Sequence, residues 1–199
     1  MAATKAPEDL LRKIRQGNRF LLTSHVNPDG DAIGSELGLA RLLRSLGKGA
    51  VVWNRDPIPA VYRPLPGSER VHSGEQPPAG FPEKFDAVVV LECPSPDRTG
   101  LEAHVGSLPV INIDHHLGNQ HYGAVNWVDS AAPAVGEMVF RLAQALKVTG
   151  LAGSGGQAKN LVRSGVVTVN DVPETQPGKK LRAGDRFRVQ EGDEWIIVR

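Results

Sequence analysis

Seven residues in three separate stretches combine carboxylates with imidazoles. They are His25, Asp29, Asp31, Glu92, Asp114, His115 and His116. Two carboxylates one residue apart, as at 29 and 31, repel each other unless a positive charge lies between them. A mixed set of carboxylates and imidazoles suits Mn²⁺, Fe²⁺ or Zn²⁺ better than Ca²⁺, and two such ions about 3.5–4 Å apart can activate a water and neutralise a phosphoryl group. The residue types therefore indicate a metal centre, provided that the three stretches meet.

Each stretch taken alone also has an ordinary structural explanation. The sequence NPDGD at 27–31 is typical of a turn with an aspartate at a helix N-terminus. Paired histidines after a strand are often only part of a surface turn. Three such stretches, each at the end of an apolar run, are hard to obtain by chance, so we favour the metal centre.

The elements that must position these residues follow from hydrophobic patterning. Apolar residues at helical spacing predict helices over 8–16, 31–48 and 133–148. Short apolar runs predict strands over 19–24, 50–54, 86–92, 109–116 and 124–129. Gly47 is a stop signal for the second helix. Residues 56–82, rich in Pro and Gly, are predicted to form a long loop. The alternation predicts an α/β fold, a mainly parallel sheet with flanking helices, in which ligands collect at the carboxyl ends of the strands.

The pattern changes after residue 148. The stretch 153–165 is typical of a short capped helix, and 166–171, 186–190 and 194–199 are typical of short strands. We therefore expect a first domain over residues 1–148 and a small α+β domain over 149–199. About fifty residues are few for a domain but sufficient.

Composition restricts the class of protein. A net charge of +1 over 199 residues does not by itself indicate a nucleic-acid binder, although residues 150–199 hold two more basic than acidic residues. Cys93 is the only cysteine, which excludes a disulfide framework. The N-terminal residues lack the continuous apolar core of a signal peptide, and no apolar run approaches the roughly 20 residues that span a membrane. We therefore expect a cytoplasmic protein with no membrane partner.

The three polar stretches also carry a family resemblance. SHVNPDGDAIGS, VVVLECPSPDRTG and INIDHH resemble the first three motifs of the DHH phosphoesterase superfamily, in order and at family-like spacing. The nearest branch is that of oligoribonucleases and nucleotide phosphatases, and the resemblance runs over about residues 8–148. It implies a two-metal site, usually for manganese (Mn²⁺), and hydrolysis of phosphoesters in short RNA or in nucleotides.

The resemblance implies a set of metal ligands. His25 and Asp29 would hold one ion, and Asp31 with His115 would hold the other. Glu92, the acidic residue of the second motif, would bridge both ions. A bridging carboxylate of this kind places the two ions close enough to act on one phosphoryl group.

The resemblance also implies two catalytic residues and reveals two departures. His116 would face the substrate phosphate, and Asp114 would orient the histidines. The family commonly has Asp where this chain has Glu92, which moves the carboxylate outward. The family also supplies a further metal-binding Asp, followed by a basic substrate domain, beyond the helix at 133–148. The last acids before the change in pattern, Asp129 and Glu137, match other family positions.

Two alternative phosphate sites do not fit the sequence. Cys93 and Arg98 are separated by four residues where a cysteine phosphatase has five, and the prolines between them remove backbone donors. Cys93 is instead expected to be a small buried residue. The stretch SLGKG at 45–49 lacks the earlier Gly and the hydroxyl after Lys that a P-loop requires.

The C-terminal stretch resembles the small RNA-binding domain named after ribosomal small-subunit protein four. GGQAKNLVRSGVVTVND and PGKKLRAGDRFRV carry this resemblance, which covers about residues 146–199. It implies contacts with the phosphates of structured RNA from a set of polar and basic residues, namely Ser154, Gln157, Lys159, Arg163, Lys179, Lys180 and Arg182. A solvated basic face is the alternative explanation of the same charges.

Two functional hypotheses follow. The first is a metal-dependent phosphoesterase acting on short RNA or nucleotide phosphates, in which the RNA-binding domain replaces the family's substrate domain. The second is a non-catalytic RNA-binding protein, or the product of a gene fusion, with an incomplete phosphoesterase site. A carboxylate that replaces the missing metal ligand would distinguish them.

Overall fold

The computed structural model describes residues 4–148, 167–176, 184–189 and 194–196. The chain divides into two compact units, Met1–Leu146 and Lys147–Arg199. The domain boundary expected after residue 148 stays a prediction. The predicted helix at 153–165 lies outside the described residues.

The first unit is built on a six-stranded parallel sheet in the order β3-β2-β1-β4-β5-β6. The strands are β1 Arg19–Thr23, β2 Gly49–Asn54, β3 His72–Ser73, β4 Ala87–Leu91, β5 Val110–Asp114 and β6 Val125–Val128. Strands β4 and β5 are buried at every position, because helices cover both faces of a parallel sheet. The predicted mainly parallel α/β fold is confirmed.

Helices supply the apolar stripes that cover this sheet. They are α1 Glu8–Gln16, α2 Gly30–Ser45, α3 Glu102–Val105 and α4 Val135–Val148. Helix α2 begins where the Asp29 carboxylate accepts the amides of Asp31 and Ala32, which are otherwise without intrahelical partners. Gly47 follows the end of α2 with a φ of 74°, a left-handed conformation that glycine adopts without strain.

One predicted loop contains regular structure. Within 56–82, Ala60–Tyr62 and Ser68–Arg70 form 3₁₀ turns, and β3 pairs with the end of β2. The indole of Trp53 on β2 is buried and donates to the carbonyl of Gly74 at 2.8 Å, which fixes this pairing. Most of the predicted long loop is irregular, but the short strand within it was missed, because a two-residue strand has no periodicity to detect. Helix α3 and the 3₁₀ turn Asp97–Thr99 were also missed.

The second unit contains a four-stranded antiparallel sheet in the order β10-β9-β7-β8. The strands are β7 Val167–Val169, β8 Val172–Glu174, β9 Arg186–Val189 and β10 Glu194–Ile196. Three of these were predicted, whereas β8 was not. Asn170 and Asp171, with φ of 51° and 63°, make the two-residue turn that joins β7 to β8, as expected of a hairpin in which both turn residues are left-handed.

No helix in the described parts of the chain has the length and apolar character needed to cross a bilayer. The cytoplasmic location expected from the sequence stays a prediction.

Candidate metal centre

The three polar stretches meet because their strands are neighbours. Strand β1 lies between β2 and β4, and β5 lies beside β4. The chain runs from β1 to β2 on one side and then crosses to β4 on the other, so the crevice above β1 and β4 is a topological switch point, where ligands of open α/β sheets bind. All seven candidate residues of the first unit follow β1, β4 or β5 or lie at the end of one of them.

Glu92 lies at the centre of the site. Its side chain is only 6% exposed, and its backbone has a φ of 53°, which turns the chain away from β4. Oε2 is 2.5 Å from Nε2 of His25, whereas Oε1 is 3.8 Å from Nε2 of His115 and 3.6 Å from Nε2 of His116. A left-handed conformation costs a residue with a side chain about 1–3 kcal/mol, and such strain clusters at functional sites. The backbone thus holds one carboxylate between His25 on one side and His115 and His116 on the other.

The first group joins β1 to β4. Ligand atoms of His25, Asp29 and Glu92 lie within 4.8 Å of one another, so these residues could hold a metal ion. Nδ1 of His25 lies 2.7 Å from the carbonyl of Val26, so it carries the proton of the neutral ring and leaves the Nε2 lone pair facing Glu92. Two electron pairs face each other unless a proton or a cation lies between them. The hydrogen bond with Glu92 accordingly raises the pKa of His25, although burial acts in the opposite direction.

The second group joins β4 to the end of β5. Ligand atoms of Glu92, His115 and His116 also lie within 4.8 Å of one another. Nδ1 of His115 donates to the carbonyl of Ala132 at 3.0 Å, and Nδ1 of His116 donates to the buried carboxylate of Asp114 at 2.8 Å. Hydrogen bonds at Nδ1 fix both tautomers with Nε2 turned toward Glu92, which is the arrangement that metal-ligating histidines require.

Asp31 lies at the margin of these groups and has a second role. Its Oδ2 is 3.9 Å from Nε2 of His115. The same oxygen accepts the amide of Val135 at 2.7 Å, and Oδ1 accepts the amide of Gly136 at 2.9 Å and the hydroxyl of Ser35 at 3.2 Å. Residues 131–134 are Ala, Ala, Pro and Ala, none of which has a capping side chain. Asp31 therefore caps helix α4 from a distant part of the chain.

Two acids near the start of α4, Asp129 before the helix and Glu137 in its first turn, do not complete the site. Arg141 holds both of them, with Nη1 2.8 Å from Oδ2 of Asp129 and Nε 3.3 Å from Oε1 of Glu137. Burial would raise the pKa of Asp129, but hydrogen bonds from Arg141 and Thr4 outweigh it and lower the pKa to about 2. In the described part of the chain, neither metal-capable group contains a carboxylate beyond those of Asp29 and Glu92.

A network behind the histidines was missed by the sequence reasoning. Nδ2 of Asn119 donates to Oδ2 of Asp114 at 2.6 Å and to Oδ1 of Asn112 at 2.7 Å. Nδ2 of Asn112 is 3.1 Å from the hydroxyl of Tyr122, which donates to the carbonyl of Cys93. This network orients Asp114 and, through it, His116. The sequence signal for this network was Asn112, an amide in the middle of the apolar run of β5. The structure buries Asn112 fully, and a buried amide needs hydrogen-bond partners.

Cys93 has no place in the chemistry of the site. Its thiol is buried and donates to the carbonyl of Ser95 at 3.1 Å. Burial raises its pKa to about 12, so the nucleophilic thiolate is not available near neutral pH. This agrees with the expectation of a small buried residue and with the rejection of a cysteine phosphatase.

The predicted RNA contacts lie outside the described residues: Ser154, Gln157, Lys159, Arg163, Lys179, Lys180 and Arg182. The described parts of the second unit form the antiparallel sheet β10-β9-β7-β8.

The first unit thus defines a class of protein: a parallel α/β domain with carboxylates and histidines gathered at the switch point of its sheet. The family model "DHH family, N-terminal domain" matches residues 19–164, and the chain belongs to the DHH family. The model "S4 domain" matches residues 135–198, so the resemblance of the C-terminal stretch is confirmed as well. Both models include α4.

Similar proteins agree with this assignment. The bifunctional oligoribonuclease and PAP phosphatase NrnA of Thermus thermophilus is 40% identical over 132 residues, which are 64% of this chain and 37% of the relative. The NrnA of Bacillus subtilis is 29% identical over 136 residues, 67% of this chain and 41% of the relative. An exopolyphosphatase-related protein from Bacteroides fragilis has the same fold, with a TM-score of 0.64 and 24% identity over 78% of this chain and 46% of the other. The chain thus spans less than half the length of these relatives.

Proposed function

We propose that the first unit is a metal-dependent phosphoesterase site for short RNA or nucleotide phosphates, joined to an RNA-binding C-terminal domain. The observation that carries the proposal is the position of Glu92, which directs one carboxylate oxygen toward His25 and the other toward His115 and His116. One bridging carboxylate between two ligand groups is the arrangement that a two-metal hydrolase needs.

The residues present fit the metal. The Nε2 lone pair of His25 and the carboxylate of Glu92 face each other and require a cation or a proton between them. His25, Asp29 and Glu92 would hold one ion, and Asp31, Glu92 and His115 would hold the other. Such ions activate a water and neutralise phosphoryl charge. We propose Mn²⁺ because the set combines hard carboxylates with imidazoles.

Two residues would act on the substrate side of the site. His116 would face a phosphate oxygen and, as the imidazolium, donate to it from Nε2. Asp114, held by Asn119, would accept from Nδ1, keep the ring in the orientation that this contact needs and offset the charge of the imidazolium. His116 is also the more exposed of the paired histidines, at 36% against 23% for the side chain of His115. This exposure supports its placement toward the substrate.

The choice of substrate rests on the relatives. Two of them are named as bifunctional oligoribonuclease and PAP phosphatase. For this chain we propose the same two chemical classes, a short oligoribonucleotide and a nucleoside bisphosphate. The S4-type domain would bind structured RNA through the phosphate contacts proposed from its basic residues, with no base-stacking platform required.

A second function is favoured by a specific observation. Arg141 binds both Asp129 and Glu137, so neither acid is free to supply the missing metal ligand. A site that binds metal without a complete ligand set would leave a non-catalytic RNA-binding protein. The assay that separates the two functions must therefore measure metal binding and turnover independently.

The test uses the purified chain with Mn²⁺. Hydrolysis of a short oligoribonucleotide and of a nucleoside bisphosphate is measured for the wild type, for His115→Ala, and for His121→Ala as a matched control. His121 is an exposed histidine outside both metal-capable groups. We expect turnover that is lost in His115→Ala and after chelation and retained in His121→Ala. Mn²⁺ binding by calorimetry without turnover would support the non-catalytic function, and turnover that survives His115→Ala would contradict the proposed site.

A further inference from the structure

We infer that Glu36 is a positioning residue that holds the His25 side of the metal centre through Asn54. The inference rests on the proposed metal site and adds a residue that supports it from behind. Glu36 makes no hydrogen bond to any proposed ligand. It is linked through Asn54 to the backbone of Ser24, the residue before His25.

The link is a short chain of buried hydrogen bonds. Glu36 on α2 is fully buried, and its Oε2 accepts Nδ2 of Asn54 at 2.9 Å. Oδ1 of Asn54, at the end of β2, accepts the amide of Ser24 at 3.3 Å and the hydroxyl of Thr23 at 3.4 Å. Ser24 directly precedes His25. The chain of bonds therefore ties α2 and β2 to the end of β1 at the residue before the ligand.

The two unpaired oxygens of this hydrogen-bond network indicate that Glu36 is in its protonated form. Oε1 of Glu36 and Oγ of Ser24 are both buried and without a hydrogen bond in the static structure. Among the described residues Glu36 has no ion-pair partner, and an ionised carboxylate in such a place is costly. Burial raises the pKa of Glu36 to about 7, against the opposing hydrogen bond from Asn54. A neutral acid can donate from Oε1 to the hydroxyl of Ser24 and accept from Asn54 at the same time.

A purely structural role would not need a carboxyl group here. Apart from Ser35, the other buried positions of α2 are apolar, including Ile33, Leu39 and Leu43. An aliphatic side chain at position 36 would fill the space but leave the buried Nδ2 of Asn54 without its acceptor, so the carboxyl group serves Asn54 rather than the packing of α2. A buried polar network fixes one arrangement of its members, and this one ends beside the histidine that must meet Glu92.

The experiment compares the Mn²⁺ affinity of the whole chain, by calorimetry, between variants shown to be folded by circular dichroism. Glu36→Gln keeps one acceptor and one donor and should bind Mn²⁺ like the wild type. Glu36→Leu removes both and should weaken binding about 10- to 100-fold, the usual cost of losing a residue that orients a metal ligand. Leu39→Ala is the matched control, because Leu39 is also fully buried on α2. It should lower the melting temperature and leave Mn²⁺ affinity unchanged.

Each outcome decides the matter. If Glu36→Leu binds Mn²⁺ as tightly as the wild type, the role of Glu36 is overturned and the metal site is not. An equal loss of Mn²⁺ affinity in Glu36→Leu and Leu39→Ala has the same consequence. If Glu36→Leu does not fold, Asn54→Ala removes the same hydrogen-bonded link from the other side. It should weaken Mn²⁺ binding about as much. Unchanged Mn²⁺ affinity in Asn54→Ala would overturn the inference. Failure of the wild type to bind Mn²⁺ overturns the proposed metal site and this inference with it.

Discussion

At the level of single residues, Asp31 meets two demands with one carboxylate. It lies at the margin of the proposed site, with Oδ2 3.9 Å from Nε2 of His115. Both of its oxygens also accept the first amides of α4, at Val135 and Gly136. Each carboxylate oxygen has two lone pairs, so capping leaves room for a metal. The consequence is that substitution at Asp31 changes fold stability as well as any metal binding.

Asp31→Ala should therefore destabilise the protein even without metal. Loss of a capping carboxylate costs about 0.5–2 kcal/mol. We expect a lower free energy of unfolding in urea with a chelator present, and a smaller deficit in Asp31→Asn, which keeps one acceptor oxygen. An unchanged midpoint in Asp31→Ala under chelation would contradict the capping role. Any additional loss that appears only with Mn²⁺ would measure the part of Asp31 in metal binding.

Much of this site can be predicted from the sequence, for a physical reason. His25, Asp29 and Glu92 follow apolar runs that can only be buried strands, and the carboxyl ends of neighbouring parallel strands share one edge. The meeting of these residues was expected, and the structure brings them together. The cap made by Asp31 on Val135 joins positions 104 residues apart. No local pattern contains such a contact, because it depends on how α4 packs.

At the level of elements, α4 is joined to the edge strand β6 by a buried ion pair. Arg141 on α4 donates to Asp129, directly after β6, at 2.8 Å, and its guanidinium lies 6.0 Å from the ring centroid of Trp127. Thr4 completes the cluster, since its amide donates to Asp129 and its hydroxyl accepts the indole N–H of Trp127. The cluster thus fastens the N-terminal segment and α4 to the same edge.

This ion pair predicts a dependence of stability on pH. Hydrogen bonds lower the folded-state pKa of Asp129 to about 2, against about 3.9 for an unfolded aspartate. A depressed pKa stabilises the fold above the unfolded value, and the contribution is lost as pH falls from about 4 to about 2. The contribution of Asp129 to the free energy of unfolding amounts to about 2–3 kcal/mol.

The measurement is urea unfolding of the wild type and Asp129→Asn between pH 2 and pH 6. The difference in free energy of unfolding should be large above about pH 4 and should shrink toward about pH 2. Asp97→Asn, at an exposed aspartate, serves as the control and should show no such change. A difference between the wild type and Asp129→Asn that is constant over this range would refute the ion-pair account.

The strands that the sequence did not predict are short and have no hydrophobic periodicity of their own. Strand β3 has only two residues, and its pairing depends on the indole of Trp53 bonding to Gly74. Strand β8 begins after Asn170 and Asp171, a turn pair compatible with left-handed backbone, but Pro173 argues against a strand. Long elements such as α2 and α4 were predicted because several turns of one apolar stripe outweigh local exceptions.

At the level of the whole molecule, two family matches share one helix. The DHH match extends to residue 164 and the S4 match begins at residue 135, so both include α4. Its first amides are held by Asp31, and its Arg141 holds the last acids of the first unit. The relatives continue well beyond the matched region, since this chain spans 37% and 41% of two of them. The S4-type segment follows directly on this shared helix in the sequence, and its RNA affinity is the property that the next prediction tests.

The basic residues of that segment should bind structured RNA mainly through phosphates. Lys159 and Arg163 are four residues apart, and Lys179, Lys180 and Arg182 cluster in the stretch that follows. Each phosphate contact releases counterions, so affinity should fall steeply as salt rises, and each contact removed should lower the salt slope by about one. Reversal of two contacting charges, in Lys159→Glu with Arg163→Glu, should therefore weaken binding and flatten the slope by about two.

The test is a binding titration of an RNA hairpin at several salt concentrations. The matched control is Arg12→Glu with Arg15→Glu, which changes the net charge by the same amount on the exposed side of α1. If overall charge alone attracts RNA, both double variants will lose affinity equally. If the S4-type segment contacts the phosphates, only Lys159→Glu with Arg163→Glu will flatten the slope, because long-range attraction is screened within about 10 Å at 0.1 M salt whereas direct contacts release counterions at any salt concentration. An unchanged slope in that variant would show that these residues do not touch RNA, and the segment would then serve the fold rather than the substrate.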